Sequence, residues 1–253
     1  MKTVLKKVWC VKFFHTLTFS AFLVSSFSLA QAASLQVSPI LVEFTPNDKA
    51  KEFWLTNTGS TKIRAQVRVQ QWSQLKSQET LTPTKDLIAS PLITEIKPGQ
   101  RQLVRLIKPA GVNTAQEKAF RLLVDELPDN SQQQNNSGLN ILLQYSIPVF
   151  YKSSQASKIN NGVTALDGIQ FKYTQGQFSA NNLSNSYIRI SQLNYVAANG
   201  KKTPLVPGLM GYVLAGQTMS WTLPQKLPDN GSGKFQAIIN ADIKEQILPI
   251  KNQ

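Results

Sequence analysis

The chain has 253 residues and a formal net charge of +13, and its single cysteine and single histidine, Cys10 and His15, both lie near the N-terminus. If export removes that end, the mature chain cannot hold a Ser-His-Asp or Cys-His triad or a Cys/His zinc site, and it cannot form a disulfide. The basic residues form no run, and neither a glycine-rich phosphate loop nor a calcium-loop spacing is present. We therefore expect no nucleic-acid partner, no metal and no cofactor, and a binding protein rather than an enzyme.

Residues 1–32 have the layout of a secretory signal peptide. A leader with four lysines comes first, residues 13–30 contain no Lys, Arg, Asp or Glu, and Ala30-Gln31-Ala32 is a small-x-small cleavage pattern. We expect cleavage after Ala32, which leaves 23 of the 27 basic residues against 14 acidic ones, a net charge of +9. An uncleaved membrane anchor is the alternative. The apolar stretch is short and broken by polar residues, so no membrane insertion is expected.

Short segments that alternate with period two, separated by turn residues, recur along the mature chain and predict β-strands. In the first half they cover residues 35–44 with a break at Pro39, 52–57, 63–72, 92–96, 102–107, 120–127 and 139–151. In the second half weaker strands cover residues 168–173, 177–180, 186–195, 211–213, 219–223, 234–240 and 246–249. A polar stretch at 152–162 separates the halves. The pattern predicts an all-β protein of two sandwich domains, at residues 33–152 and 160–253.

The longest apolar run of the mature chain, residues 139–151, follows a polar loop at 129–138. Alternation places one row of apolar side chains on a single face: Leu139, Ile141, Leu143, Tyr145, Ile147 and Val149. Two interpretations remain open. The run is either a core strand whose row faces the partner sheet, or an edge strand that offers the row to another protein by β-augmentation. Pro148 fits an edge or a strand end better than a sheet centre.

Six segments taken together resemble periplasmic pilus-assembly chaperones of the chaperone–usher pathway. They are Arg68-Val69-Gln70-Gln71-Trp72, residues 83–91, residues 98–105, residues 120–128, residues 143–150, and residues 211–216 with Trp221. The Ser146-Ile147-Pro148-Val149-Phe150 pattern is similar to that of the archaic branch. The resemblance covers most of the mature chain. It implies two immunoglobulin-like β-sandwich domains in an L-shaped arrangement, and a location in the periplasm.

The activity that the resemblance implies is donor-strand complementation. The last strand of the first domain fills the groove of a pilus subunit that lacks one strand, and the subunit then passes to an outer-membrane usher. Pilus subunits and the usher are thus the expected partners. The donor strand would span residues 139–147, with these side chains pointing into the subunit: Leu139, Ile141, Leu143, Tyr145 and Ile147. Whether the free protein self-associates to cover this row is left open.

One departure from the best-known branch concerns the anchor for the subunit's C-terminal carboxylate. That branch uses an arginine on the first strand and a lysine on the donor strand, and this chain has Leu41 and Pro148 at those places. We expect Arg121, on the preceding strand, to serve instead, because its fork can bind both carboxylate oxygens. An ordinary surface arginine is the alternative. Weaker anchor candidates are Arg68, Arg105 and Lys152.

Two other functions agree less well with the sequence. A pilus structural subunit or adhesin usually begins with its own alternating donor segment, whereas the long alternating strand here is internal. An exported carbohydrate-active enzyme needs paired carboxylates in a cleft. Asp125 and Glu126 are adjacent, so on a strand they point to opposite faces. Glu117 and Lys152 match an inter-domain ion pair of the chaperone family, and a local surface role for them is equally open.

Overall fold

The computed structural model describes residues 35–112, 116–128, 142–154, 159–160, 163–225, 227 and 232–250. The expected signal peptide and two residues of the expected donor row, Leu139 and Ile141, lie outside these ranges. All regular structure within them is β-strand. None of the described residues belongs to a helix with the length and apolar character needed to cross a membrane.

The first domain is a sandwich of two sheets. Its described residues form the strands β1 (Leu35–Ser38), β2 (Val42–Phe44), β3 (Ala50–Asn57), β4 (Ile63–Leu75), β5 (Gln78–Pro83), β6 (Ile88–Ser90), β7 (Ile93–Ile96), β8 (Arg101–Ile107), β9 (Lys118–Leu127) and β10 (Gln144–Tyr151). One sheet has the order β1-β3-β8-β6, and the other has the order β2-β10-β9-β4-β5, with β7 also paired to β4. In β4, Ile63, Ala65 and Val67 are buried between more exposed polar residues, which confirms the predicted alternation.

The first strand segment is divided between the two sheets on either side of Pro39. β1 runs antiparallel to β3, whereas β2 runs parallel to β10, with Val42 opposite Val149 and Phe44 opposite Tyr151. The predicted break at Pro39 therefore marks the place where the chain crosses from one sheet to the other. This crossing shapes the site described below, because β2 reaches only one end of β10.

Strand β5 was not predicted from the sequence. All six of its residues are exposed, so no alternation of buried and exposed positions marks it as a strand. It forms through pairing with β4 across the two-residue turn Lys76-Ser77. Both turn residues have positive φ, 52° and 60°, as in hairpin turns whose twist matches that of the flanking strands. The resulting β4–β5 hairpin carries several residues of the domain junction.

The second domain is also built from sheets packed around an apolar core, which includes the buried Phe178 and Phe235. Its strands are β11 (Ile159–Asn160), β12 (Val163–Thr164), β13 (Ile169–Thr174), β14 (Gln177–Asn182), β15 (Ile188–Val196), β16 (Lys202–Val213), β17 (Thr218–Thr222), β18 (Lys234–Ile239) and β19 (Gln246–Leu248). The two larger sheets have the orders β13-β14-β17 and β16-β15-β18-β19, and β11 pairs with β12. The proposed domain limits, 33–152 and 160–253, stay a prediction.

Strand β16 extends well upstream of the segment predicted at 211–213. Pro204 and Pro207 lie within it, and prolines in a sequence normally argue against a strand. β16 accommodates them because it is an edge strand and its register against β15 shifts at several points. An edge strand needs hydrogen bonds on one side only, so a missing N–H is tolerated there.

A third apolar cluster joins the two sandwiches. Its buried members are Trp72, Ala119 and Phe150 from the first domain and Tyr187, Tyr212 and Leu214 from the second. The rings of Phe150 and Tyr187 are stacked with their centroids 3.9 Å apart. Leu41, on the crossing between β1 and β2, packs against the same cluster. This junction lies against the outer face of the sheet that contains β4, β9 and β10.

Gln74 ties the β4–β5 hairpin to the second domain. Its buried side-chain Nε2 donates a hydrogen bond of 2.9 Å to the backbone carbonyl of Tyr212, and its Oε1 accepts one of 2.9 Å from the backbone N–H of Leu214. The amide thus pairs with the end of edge strand β16 as a neighbouring strand would. Both backbone groups would otherwise be buried without these partners.

Candidate functional site

β10 has an open edge along most of its length. β9 pairs with it from Gln144 to Tyr151, whereas β2 pairs with it only from Val149 to Tyr151. Among the described residues, no strand pairs with residues 144–148 on the side away from β9. Such an edge presents backbone N–H and C=O groups that can pair with a strand from another chain.

The hydrogen-bond pattern shows which backbone groups face this edge. The N–H of Glu126 donates to the carbonyl of Leu143 at 2.9 Å, so the bonds of every second residue from Leu143 onward point to β9. The backbone groups of Gln144 and Ser146 therefore point to the open side. Pro148 occupies the same kind of position, so its missing N–H costs no bond with β9, as expected for proline at an edge.

The three described side chains of the expected donor row face the first domain's own core. Ile147 is buried, and Leu143 and Tyr145 are partly buried against the same core cluster. The Tyr145 hydroxyl donates a 2.6 Å hydrogen bond to the carbonyl of Leu35 in β1. The free chain thus has features of both interpretations of this run: the row packs inward, and the backbone edge is open. That these side chains enter a subunit stays a prediction.

Arg121 lies directly opposite Pro148, in the adjacent strand β9. Its guanidinium carbon lies 3.6 Å from the centroid of the Trp72 ring and 5.6 Å from that of Tyr212, so it sits at the domain junction. Its side chain is only 14% exposed, and its ion pair with Glu79 is long, at 3.8 Å between Nη2 and Oε2. Burial lowers the pKa of Arg121, and the nearby Glu79 opposes that shift.

This arrangement makes Arg121 a suitable receptor for a carboxylate. No acceptor among the described residues lies within hydrogen-bond distance of its guanidinium. Stacking on Trp72 occupies one face of the plane and leaves the in-plane N–H groups available for a bidentate acceptor. A buried cation without a close partner is costly, so an incoming anion would relieve that cost.

The weaker anchor candidates are engaged or lie elsewhere. Arg68 Nη2 lies 2.8 Å from Asp125 Oδ2. Lys152 Nζ lies 3.2 Å from Glu43 and 3.4 Å from Glu117. Arg105 is exposed on β8, which belongs to the other sheet of the first domain. Arg121 is therefore the candidate whose geometry best fits a carboxylate beside the open edge.

Asp125 connects three adjacent strands at the start of the open edge. It accepts from the Arg68 side chain on β4 and from the Gln144 side-chain amide on β10. Gln144 is the first residue of β10, so these bonds fix the end of the strand whose backbone edge is free. The described residues hold no group of three or more His, Cys, Asp or Glu side chains arranged for a metal ion.

Glu117 and Lys152 do form an ion pair, and it lies at the domain junction. Glu117 Oε2 is 3.4 Å from Lys152 Nζ, while its Oε1 accepts a 2.7 Å hydrogen bond from the backbone N–H of Tyr187 in the second domain. The Tyr187 hydroxyl in turn donates to Glu43 at 3.0 Å. Burial raises the pKa of Glu117 from its ordinary 4.5 to about 7, although Lys152 and the Tyr187 N–H both lower it.

This raised pKa predicts a pH-dependent stability. The folded chain binds the Glu117 proton more tightly than the unfolded chain, so the free energy of unfolding should fall as pH rises from 4.5 to about 7 and then level off. Over this pH range, Glu117 should lower the free energy of unfolding by about 3 kcal/mol. Glu117→Gln should remove it. Urea unfolding of both proteins at several pH values checks this, and equal slopes would contradict it.

Sequence reasoning missed three residues of this region: Gln74, Glu79 and Tyr212. Glu79 lies on the unpredicted strand β5, whose exposed positions offered no pattern. Tyr212 lay in a segment recognised only for its resemblance to the family. No local signal distinguishes Gln74 from the other glutamines of β4, because its partners are 138 and 140 positions away in the chain.

Comparisons with known proteins agree with this architecture. Residues 34–156 match the family model for the pili and flagellar-assembly chaperone, PapD N-terminal domain. A comparison with curated protein sequences returns no match. Among solved structures, the chain is similar to one in the CsuC–CsuE chaperone–tip adhesion subunit pre-assembly complex from archaic chaperone-usher Csu pili of Acinetobacter baumannii. The identity is 25%, the match covers 86% of this chain and 98% of that chain, and the TM-score is 0.65.

Two further structures support the fold alone. The YadV chaperone is 16% identical over 85% of this chain and 100% of that chain, with a TM-score of 0.63. A chain of the Salmonella enterica SafA pilin–SafB chaperone complex is 13% identical over 85% of this chain and 96% of that chain, with a TM-score of 0.60. The expected resemblance and the all-β fold of two sandwich domains are thereby confirmed.

Proposed function

We propose that this chain, whose residues 34–156 match the pili and flagellar-assembly chaperone family, captures pilus subunits in the periplasm by donor-strand complementation and delivers them to an outer-membrane usher. The observation that carries the proposal is the open edge of β10 at residues 144–148, next to the buried Arg121. The complex of the similar chaperone CsuC with the tip adhesion subunit CsuE supports pilus subunits as the partner class.

The open edge explains how a subunit would be held. A subunit strand that pairs with Gln144 and Ser146 extends the sheet of β10 beyond the first domain. The row that faces the chaperone's own core then also faces the interior of the subunit, because both lie on the same side of the extended sheet. Among the described row residues, Leu143 and Tyr145 are only partly buried in the free chain, so they have side-chain surface left to bury in a subunit. Leu139 and Ile141 would continue the row.

Arg121 would hold the subunit's C-terminal carboxylate. The best-known branch places a lysine where this chain has Pro148, and Arg121 lies opposite that position on the next strand. The basic residue of this chain therefore lies one strand away from the lysine position of the best-known branch, but beside the same edge of β10. A carboxylate held there determines which subunit residues lie opposite the donor row, and a slip of one residue would turn the wrong face inward.

The two parts of the site have different energetic roles. Fully burying an aliphatic or aromatic side chain contributes roughly 1.5–3 kcal/mol, and several row residues would do so together. A hydrogen bond to a charged group contributes about 1.5–3 kcal/mol. Ile147 is already buried in the free chain, so it adds little new burial. The remaining row dominates affinity, and Arg121 sets the register.

The test of the proposal compares two arginines. Arg121→Ala should reduce the chaperone's affinity for a co-expressed pilus subunit by about tenfold to a hundredfold, because a charged hydrogen-bonded contact is lost. Arg105→Ala is the matched control, since it removes an exposed arginine from the other sheet. Each variant competes with the wild-type chaperone for the subunit during co-expression, and mass spectrometry measures the bound fractions. Equal effects of the two substitutions would contradict the assignment of Arg121.

The alternative function, a pilus structural subunit or adhesin, is less well supported. The described first domain already contains strands on both sides of β9 and a closed apolar core. A subunit that lacks a strand would leave part of such a core uncovered. Purification of a one-to-one complex with a candidate subunit would favour the chaperone, whereas head-to-tail polymers of this chain would favour the alternative.

A further inference from the structure

Glu79 is the carboxylate nearest to Arg121 in the described structure, and it lies on the β4–β5 hairpin rather than on the donor strand. We infer that Glu79 acts as an internal competitor: in the free chaperone it faces the guanidinium that receives the subunit's terminal carboxylate, and capture must displace it. This inference rests on the proposed role of Arg121. It adds a residue, Glu79, that weakens carboxylate binding at Arg121 and so favours a carboxylate that belongs to a paired subunit strand.

The geometry of the pair is that of a weak, replaceable contact. Nη2 of Arg121 and Oε2 of Glu79 are 3.8 Å apart, which allows attraction but no hydrogen bond. The Glu79 side chain is 45% exposed, so it can turn into solvent without leaving a buried charge. Arg121 cannot move as easily, because Trp72 lies 3.6 Å beneath its guanidinium.

The position of Glu79 follows from the hairpin. Glu79 lies opposite Gln74, whose side chain is held by two hydrogen bonds to the second domain. The hairpin is therefore fixed at the junction, and it keeps a negative charge close to Arg121. A second carboxylate at the same guanidinium meets like-charge repulsion as well as competition for the N–H groups.

The consequence is selectivity for a particular anion. A free carboxylate in solution gains only the contact with Arg121, and Glu79 offsets that gain. A carboxylate at the end of a subunit arrives with a strand that pairs along residues 144–148. The free energy of that strand pairing then exceeds the cost of displacing Glu79 from Arg121. Glu79 would thus keep the site free of unattached anions until the correct chain end and edge are engaged together.

A double-mutant cycle tests this inference. Glu79→Gln keeps the size of the side chain and removes its charge, and it should tighten binding of the co-expressed pilus subunit by about twofold to fivefold. Glu95→Gln is the matched control: Glu95 is 49% exposed on the same domain and pairs with Lys62 instead. The same competition assay, at low and high salt, measures relative affinities for each variant alone and combined with Arg121→Ala.

The outcomes separate the inference from the proposed function. A gain for Glu79→Gln that exceeds that of Glu95→Gln and vanishes in the Arg121→Ala background supports the competitor role. A gain equal to that of Glu95→Gln, no gain, or weaker binding would overturn it, even if Arg121→Ala alone still weakens capture. If Arg121→Ala has no effect by itself, the anchor assignment fails, and the competitor inference fails with it.

Discussion

Leu143→Asp is expected to leave the chaperone folded and to reduce subunit capture by at least about a hundredfold. Leu143 is only partly buried at the start of β10, so a charge there can reach solvent in the free chain. Inside a captured subunit the same carboxylate would lose its water without gaining a partner. The lost burial and the buried charge act in the same direction, and together they exceed any single contact made by Arg121.

The neighbouring residue provides the control. Leu142 is also apolar and is 45% exposed, but alternation turns it to the opposite face from Leu143. Leu142→Asp introduces the same charge one position away and should change capture by much less. Co-purification with a subunit, combined with circular dichroism of both variants, distinguishes loss of binding from loss of folding. Equal capture by the two variants would count against the donor-strand proposal.

Ile147 is unsuitable for the same experiment. It is buried in the core of the free first domain, so Ile147→Asp would unfold that domain and report on stability rather than on capture. The sequence pattern alone treats Leu143 and Ile147 as equivalent members of one row. Their different burial decides which of them can be used to probe binding.

Gln74→Ala is expected to uncouple the two domains and to cost about 3 kcal/mol of stability at their junction. The substitution leaves the carbonyl of Tyr212 and the N–H of Leu214 without these partners, and each buried unsatisfied group costs roughly 1–3 kcal/mol. Because the hairpin also carries Glu79, the variant should disturb the surroundings of Arg121. Calorimetry should then show two separate unfolding transitions, where the wild-type junction favours coupled unfolding.

Gln71→Ala is the matched control for this prediction. Gln71 lies on the same strand, but its side chain is exposed, and it forms no hydrogen bond with the second domain among the residues that the structure describes. Its replacement should leave the thermogram nearly unchanged. Small-angle scattering of both variants would measure whether the spread of domain orientations increases only for Gln74→Ala, as expected when a fixed junction becomes a mobile one. Indistinguishable thermograms and scattering would contradict the proposed role of Gln74.

The strands that could be predicted are those with one buried and one exposed face. β3 and β4 have such patterns, and their predicted segments agree with the structure because burial itself produces the alternation. β5 has no buried position, and β16 contains two prolines, so neither has a pattern that a sequence reading can use. Both strands lie at sheet edges, where burial constrains the residues least.

The candidate site was predictable in its residues but not in their surroundings. The resemblance to the family, with Leu41 and Pro148 at the positions of the best-known anchor, directed attention to Arg121. Nothing local to Arg121 distinguishes it from Arg68, since both are arginines on adjacent strands of one sheet. The structure distinguishes them by their neighbours. Asp125 lies 2.8 Å from Arg68, whereas Arg121 packs on the Trp72 ring and has Glu79 at 3.8 Å.

The sequence by itself determined the class of protein: an all-β chain of two sandwiches, similar to pilus chaperones, with an alternating run that leads to Pro148. These properties depend on local periodicity, turn residues and motif order, which the linear chain contains. Only the tertiary structure decided that β2 covers just one end of β10, that Ile147 faces its own core, and that Arg121 has no acceptor within hydrogen-bond distance among the described residues. Those facts depend on contacts between residues far apart in the chain, and pairing, burial and charge neighbours are set when the sheets and domains pack together.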